Sequence, residues 1–197
     1  MDSKNTNYSY GSLQRILRRG LLSIGFSNIK TFDSILVLGV AGGSVIKTLV
    51  NEIDFKGEIT GVEIDPEIIS LANKYFKLNE IQNLTIIVED ASEFVQNTNK
   101  NFDLIIIDIF QDNSMPEFLF ESVFIKNTKS LLTPGGYLLF NTMIHTNGDQ
   151  ERNKLYRNHF NTEEYSTYSL PKVEVYNELF IIQKTKRDLT NVPLSKH

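Results

Sequence analysis

The chain has 197 residues, 41% of them hydrophobic, no cysteine and a formal net charge of -4 at pH 7. This length predicts one domain with a sizeable core, and the lack of cysteine excludes a disulfide framework and a thiolate metal site. No apolar run approaches the roughly 18 residues that span a bilayer, and the N-terminus lacks the pattern of a signal peptide. We therefore expect a cytoplasmic protein with no membrane partner, and the negative charge argues against a general nucleic-acid binder.

The first 31 residues (1–31) are predicted to form an arm and one helix that belong to the same domain as the rest. Residues 1–10 are polar and favour an extended arm. The helix has a plausible N-cap at Ser12 and ends at Gly20 or Gly25. Its buried side is indicated by apolar residues at helical spacing, Leu13, Ile16, Leu17, Leu21 and Leu22.

Residues 32–183 alternate between strand-like and helix-like segments, which indicates a doubly wound α/β sheet. Strands are predicted at 35–38, 58–64, 84–88, 102–108 and 137–143, followed by an antiparallel pair at 165–170 and 172–183. Helices are predicted at 44–51, 66–76, 91–96, 116–131 and 151–160, with a turn at 133–136. Residues 184–197 are predicted to be a polar C-terminal tail.

The first predicted strand runs into a loop of small residues that opens the next helix. The loop contains Gly39, Val40, Ala41, Gly42 and Gly43. Small side chains at this position let a ligand approach the backbone amides. A dinucleotide fingerprint would need glycine where Ala41 and Ser44 stand, and the lysine of a P-loop is absent. The loop therefore predicts a nucleoside ligand without a pyrophosphate.

The second predicted strand ends in an acidic side chain. Glu63 follows the glycine loop by about twenty residues, the usual separation for a carboxylate that accepts both hydroxyls of a ribose. Together, the loop and Glu63 predict an adenosine site.

Several motifs occur in an order that resembles the S-adenosylmethionine-dependent methyltransferases of class I, and most closely the spermidine synthase-like branch of that fold. They are GVAGG at 39–43, VEIDP at 62–66, EDA at 89–91, FDLIIID at 102–108, the Met115-Pro116 helix start and TPGGYLL at 133–139. The resemblance implies a Rossmann-like, mostly parallel sheet of seven strands whose last hairpin is antiparallel.

The resemblance also implies a donor, S-adenosylmethionine or its decarboxylated form. The residues expected to bind it are Gly39, Val40, Ala41, Gly42, Gly43, Glu63, Ile64, Asp90, Ala91 and Asp108. In the resembled families the third strand ends where a carboxylate meets the adenine amino group, here Asp90. Asp90 with Glu93 also reads as a capping box for the helix at 91–96, and the two interpretations are compatible.

Asp108 matches the catalytic aspartate of the spermidine synthases in position. Ligands of open α/β sheets lie beyond the carboxyl ends of the strands, which places Asp108 beside the Gly39 loop. There it can orient an ammonium group and accept its proton, while Asp112 and Asp149 attract a cation. Tyr10 matches a tyrosine that lines the active site of the resembled family. Tyr10, Gln14 and Asp112 are expected on the acceptor side.

The departures from the spermidine synthase pattern favour the intact donor. The family carries an aspartate where this chain has Gly42, Asp-Ser-Ser-Asp-Pro where it reads DIFQD at 108–112, and an N-terminal β-hairpin domain with no counterpart here. Because the carboxylate of S-adenosylmethionine repels an aspartate, Gly42 predicts a methyltransferase acting on a small acceptor, with an amine as one option. The alternatives are an aminopropyltransferase that uses decarboxylated S-adenosylmethionine and a non-catalytic cofactor-binding or interaction domain.

No histidine or carboxylate cluster has the spacing of metal ligands, so no metal is expected. His145 follows the fifth predicted strand and reads either as a surface residue or as a substrate contact. The phenylalanines between Phe118 and Phe124 read as core or as interface, and a homodimer is one option.

Overall fold

The computed structural model describes residues 2–3, 6–7, 10–111 and 114–186, with side chains from residue 15 onward. A seven-stranded sheet runs through the centre. Its strands are β1 Ser34–Leu38, β2 Glu58–Glu63, β3 Leu84–Val88, β4 Phe102–Ile107, β5 Leu132–Met143, β6 Tyr165–Leu170 and β7 Asn177–Lys184. The strand order is β3-β2-β1-β4-β5-β7-β6, with β1 to β5 parallel and β7 antiparallel to both neighbours. The predicted fold class is confirmed.

Helices cover both faces of the sheet. They are α1 Tyr10–Ile24, α2 Phe26–Ile29, α3 Ser44–Lys47, α4 Pro66–Phe76, α5 Ala91–Asn97, α6 Ser122–Leu131 and α7 Asn147–Asn158. A π-helical turn, Thr48–Glu52, continues α3, and 3₁₀ turns occupy Leu78–Glu80 and Glu117–Phe120. A short strand pair, Asp2–Ser3 with Thr6–Asn7, lies at the N-terminus.

The two central strands β1 and β4 carry long apolar runs, at residues 35–38 and 104–107, because each face of the sheet packs against its own core. On β4, Leu104 and Ile106 belong to the core under α1, α3 and α4, whereas Ile105 and Ile107 belong to the core under α5, α6 and α7. Successive side chains of a strand point to opposite faces, so a strand buried on both sides needs an unbroken apolar run. These two faces are called the α1 face and the α7 face below.

Helix α1 packs against the outer half of the sheet. A Cβ added to Gly20 would lie 2.5 Å from a methyl group of Leu139, so glycine is needed for the helix to approach β5 this closely. Gly20 therefore lies inside the helix, and Gly25 ends it with φ 97°. The predicted domain boundaries at residues 31 and 183 stay predictions.

The predicted helix at 116–131 is wrong in its first part. Residues 117–120 form a 3₁₀ turn, and Glu121 is extended with ψ 141° before α6 begins. The break lets Leu119 and Phe124 both enter the core of the α7 face, where they are buried, and the ring of Phe118 packs edge-on against Phe124 at 5.1 Å. These phenylalanines therefore pack in the core, and the homodimer stays a prediction.

Other boundaries also differ from the prediction. Helix α1 begins at Tyr10, so Ser12 lies inside it, and the strand predicted at 172–183 begins at Asn177 because residues 171–176 form turns and bends. Helix α7 starts four residues early, at Asn147, because Thr146 and Asp149 form a capping box. The predicted turn at 133–136 lies inside β5, where the register shifts from Phe102 opposite Leu132 to Leu104 opposite Tyr137. The Thr133 hydroxyl donates to Asp103 at 2.7 Å and holds this bulge in place.

Among the described residues, no helix has the length and apolar content to cross a membrane. The cytoplasmic location stays a prediction.

Candidate active site

Three strands end side by side at one edge of the sheet. Leu38 at the end of β1 pairs with Val62 of β2 on one side and with Ile107 of β4 on the other. The residues next in the chain after this row, Gly39, Glu63 and Asp108, therefore lie together. The chain order reverses between β1 and β4, and such a switch point is where open α/β sheets bind their ligands.

The glycine loop is locked to its neighbouring strands. The Gly39 amide donates to the Val62 carbonyl at 2.9 Å, and the Asp108 amide donates to the Leu38 carbonyl at 2.9 Å. Gly39 has φ 87°, and a Cβ there would clash with the Asp108 carbonyl oxygen. The fold itself therefore requires glycine at position 39, and any change there displaces Asp108.

Gly42 is the roomier position of the loop. A Cβ added to Gly43, which has φ 72°, would meet Leu78 methyl groups at 2.6 Å, whereas one added to Gly42 would find Phe76 at 3.4 Å, an ordinary contact. The loop thus tolerates a Cβ at Gly42 but not at Gly43.

Glu63 holds the same loop from the other side. Its Oε2 accepts hydrogen bonds from the amides of Val40 and Ala41 at 3.2 and 3.0 Å, and its Oε1 accepts one from the Asp65 amide at 3.2 Å. A carboxylate has about four acceptor positions, and these three bonds leave about one of them for a ribose hydroxyl. Glu63, the residue predicted to bind the ribose, therefore also holds the loop in its conformation.

The end of β3 supplies the other predicted donor contacts. Asp90 is the N-cap of α5, and its Oδ1 accepts from the amides of Ser92 and Glu93 at 2.7 and 3.3 Å. Within the described residues these bonds use only one of its oxygens, so Oδ2 remains for an adenine amino group. Ala91 is buried beside it, while Ile64 is 62% exposed at the same edge of the sheet.

Asp108 is the candidate catalytic carboxylate, and it lies at the centre of this edge. It lies on the α1 face, two residues after Ile106, and its Oδ1 accepts a hydrogen bond from Asn141 Nδ2 at 2.9 Å. Burial raises the pKa of Asp108 from its ordinary 3.8 to about 6, although the hydrogen bond from Asn141 opposes the rise. The carboxylate is therefore mostly ionised at pH 7 and more basic than usual.

Sequence reasoning missed Asn141 and its partner. Asn141 Oδ1 accepts from Asn177 Nδ2 at 3.0 Å, which makes a chain of three side chains from β7 through β5 to Asp108. The signal was present in the sequence, because Asn141 interrupts the apolar run YLLF at the centre of a predicted strand.

The predicted acceptor-side residues are only partly described. Tyr10 and Gln14 lie in the first turns of α1, but their side chains, like the whole of Asp112, lie outside the described residues. Arg15 of α1 forms an ion pair with Glu174 at 3.2 Å. Glu174 lies three residues before the start of β7 at Asn177, which pairs with Met143 at the carboxyl end of β5. The start of α1 therefore lies toward the same edge of the sheet as Asp108.

Two other predicted residues serve local structure. Asp149 caps α7 and forms an ion pair with Arg152 at 2.9 Å, and His145 is exposed with its ring 4.5 Å from that of Tyr176. Among the residues that the structure describes, no three His, Cys, Asp or Glu side chains come together as a metal site.

Comparison with known proteins identifies relatives of the whole fold. The chain is 29% identical over 143 residues to a polyamine aminopropyltransferase of Vibrio vulnificus, which covers 71% of this chain and 47% of the relative. It is 25% identical over 157 residues to the eEF1A lysine and N-terminal methyltransferase homolog of Drosophila melanogaster, covering 71% of this chain and 23% of that one. The chain thus spans less than half the length of these curated relatives.

A solved structure shares the fold. The probable spermidine synthase from Corynebacterium glutamicum superposes with a TM-score of 0.71 at 19% identity, covering 88% of this chain and 63% of that one. At this identity the match demonstrates the shared architecture.

The prediction of methyl transfer is wrong. The curated relatives found are mostly polyamine aminopropyltransferases, although a methyltransferase homologue occurs among them. The argument from Gly42 failed because a missing aspartate removes one contact to the donor's amino group without creating any contact to the carboxylate of the intact donor. A Cβ at Gly42 would make only an ordinary contact with Phe76, so this position does not by itself distinguish the two donors.

The family itself is established by a match to the model of the spermine/spermidine synthase domain over residues 16–194. This confirms the resemblance inferred from the sequence motifs. The chain belongs to the spermine/spermidine synthase domain family.

Proposed function

We propose that this protein is an aminopropyltransferase, which moves the aminopropyl group of decarboxylated S-adenosylmethionine to an amine acceptor. The observation that carries the proposal is the position of Asp108, a partly buried carboxylate of raised pKa that is fixed against the Gly39 loop. The names of the curated relatives support this reaction class.

The residues at the edge fit such a donor. A Cβ at Gly42 would meet nothing closer than Phe76 at 3.4 Å, Glu63 has about one acceptor position left for a ribose hydroxyl, and Asp90 has an oxygen left for an adenine amino group. When bound, the donor supplies a sulfonium whose attached carbon can be attacked in line by an amine. The roles of these residues in donor binding are part of the proposal.

Asp108 performs the proton chemistry. An amine acceptor is protonated at neutral pH and cannot attack until it loses a proton, so a carboxylate must first orient the ammonium group and then receive the proton. In the transfer, a nitrogen–carbon bond forms, the carbon–sulfur bond breaks with its electron pair remaining on sulfur, and the proton passes to Asp108. Partial burial strengthens the attraction between the carboxylate and the ammonium group.

The test is a transfer assay on the purified chain with decarboxylated S-adenosylmethionine and a panel of aliphatic diamines and triamines. Both products, the extended polyamine and methylthioadenosine, are measured by mass spectrometry. We expect product with at least one acceptor and its loss in Asp108→Asn. Calorimetric binding of the donor, weakened in Glu63→Gln, tests the donor site separately. Failure of the protein to bind the donor or to form either product contradicts the proposal.

A further inference from the structure

A buried amide stands directly behind the candidate catalytic carboxylate. Asn141 is 0% exposed, and its neighbours on the α1 face, Leu139 on β5 and Leu179 on β7, are core leucines. Burying a side-chain amide is unfavourable unless its polar atoms are hydrogen-bonded. Asn141 uses both ends, since Nδ2 donates to Asp108 at 2.9 Å and Oδ1 accepts from Asn177 at 3.0 Å.

The three side chains have one consistent orientation when Asp108 is ionised. A carboxylate can only accept hydrogen bonds, so Asn141 must turn its NH₂ group toward Asp108. Its carbonyl oxygen then faces Asn177, which must donate. Without Asn177, the Asn141 amide loses the contact that selects this orientation over the flipped one, in which its carbonyl oxygen would face the carboxylate.

We propose that Asn141 is a positioning residue that keeps Asp108 ionised and aimed at the acceptor, and that Asn177 fixes the orientation of Asn141. This inference rests on the proposed function, in which Asp108 receives the acceptor's proton. It assigns roles to two residues that do not themselves contact the reacting atoms.

The hydrogen bond from Asn141 is the main interaction that opposes the rise in the pKa of Asp108 caused by burial. The elements packed around the carboxylate bring Gly39 from β1, Asn141 from β5 and Asn177 from β7. Arg15 on α1 is paired with Glu174, and Glu63 at the end of β2 is bonded to the loop amides. Among the described residues, no charged group influences the pKa of Asp108; burial raises it and Asn141 lowers it.

The test follows the titration of Asp108 directly. In protein labelled with ¹³C at the aspartate carboxyl carbons, the Asp108 signal is assigned by its absence in Asp108→Asn. We expect Asn141→Leu to raise the pKa of Asp108 by about one unit, because a hydrogen bond to a charged group is lost. Asn177→Ala, at a partly buried site, is expected to produce a smaller rise in the same direction.

The pH profile of transfer supplies a second readout. The acidic limb of kcat should move with the pKa in Asn141→Leu, giving a loss of roughly fivefold at pH 6 that shrinks toward pH 8. The KM for the donor should stay near that of the wild type. A residue with a merely structural role would lower activity equally at every pH.

Asn153→Leu is the matched control. Asn153 is 1% exposed on the opposite face, where its amide bonds to Thr142 and Glu178. Its loss should leave the Asp108 titration and the pH profile unchanged. A wild-type titration in both Asn141→Leu and Asn177→Ala overturns the inference. If Asn141→Leu does not fold, Asn177→Ala decides alone. Absence of transfer by the wild type defeats the proposed function instead, while the ¹³C titration still decides whether Asn141 controls Asp108.

Discussion

Two polar clusters are buried at the carboxyl end of β5, one on each face of the sheet. On the α1 face, Asn141 joins Asp108 to Asn177. On the α7 face, Asn153 donates to the Thr142 hydroxyl at 2.9 Å and to Glu178 Oε2 at 3.1 Å. Both clusters centre on a buried asparagine that donates to a carboxylate.

The clusters differ in what their carboxylates can reach. Asp108 stands at the switch point beside the Gly39 loop, whereas Glu178 is 7% exposed and ties α7 to strands β5 and β7. The same kind of hydrogen bond, from a buried asparagine to a carboxylate, therefore belongs to the candidate active site on the α1 face and stabilises the packing of α7 on the other face. The position of the carboxylate relative to the strand ends makes this difference.

The largest effect is expected from Asp108→Asn on transfer. An amide cannot accept the acceptor's proton, so kcat should fall by roughly 10²- to 10⁴-fold, the usual contribution of a general base. Product formation by mass spectrometry at saturating donor measures it. Undiminished transfer by the variant would show that Asp108, like Glu178, takes no part in the reaction.

Asn153→Ala should affect stability instead. The change leaves the Glu178 carboxylate buried without its amide donor and creates a small cavity, so the free energy of unfolding should fall by about 2 to 4 kcal/mol. Urea unfolding measures this loss. Transfer per folded molecule should remain that of the wild type, and a specific loss of kcat would contradict the division between the two faces.

Asp108→Asn should make the protein more stable at alkaline pH. The native carboxyl has a pKa of about 6 against 3.8 when exposed, so between these values the native state binds more protons than the unfolded state. The free energy of unfolding of the wild type therefore falls as the pH rises from about 4 to 6. Above pH 6 the full energetic cost of burying the ionised carboxylate remains. The variant lacks this cost, which is at most about 3 kcal/mol.

Urea unfolding of both proteins at pH 4.5 and pH 8 tests this. The stability advantage of Asp108→Asn over the wild type should be larger at pH 8 than at pH 4.5, by about 2 kcal/mol. Equal differences at the two pH values would mean that burial does not raise the pKa of Asp108.

The sequence predicts the fold well because the physics that forms the sheet is local and repetitive. Apolar runs such as residues 104–107 are readable as strands buried on both faces, and a carboxylate that follows such a run, like Asp108, must lie at the ligand edge. Capping and bulges were harder. The start of α7 at Asn147 and the bulge at 133–136 depend on side-chain bonds, the second of them to Asp103, which is 30 positions away.

The chemistry of the site was less readable for a related reason. Asn141 and Asn177 are 36 positions apart and meet only because β5 and β7 pair antiparallel. The choice of donor failed because it was inferred from a single absent side chain at Gly42. The absence of an aspartate at position 42 discriminates poorly between S-adenosylmethionine and its decarboxylated form, which are similar in shape.

Thr142→Val should have the smallest effect and sharpen the comparison most. Thr142 lies next to Asn141 along β5 but points to the α7 face, where its hydroxyl donates to the Glu178 carbonyl at 2.8 Å and accepts from Asn153. Valine keeps the shape and removes both bonds, so we expect a loss of about 1 to 2 kcal/mol in the free energy of unfolding. Because strand side chains alternate, the neighbouring Asn141 should keep its bond to Asp108, and the ¹³C titration of Asp108 should not move. A shifted titration would mean that the two faces communicate through the backbone of β5, and that the stability of one cluster sets the proton affinity of the other.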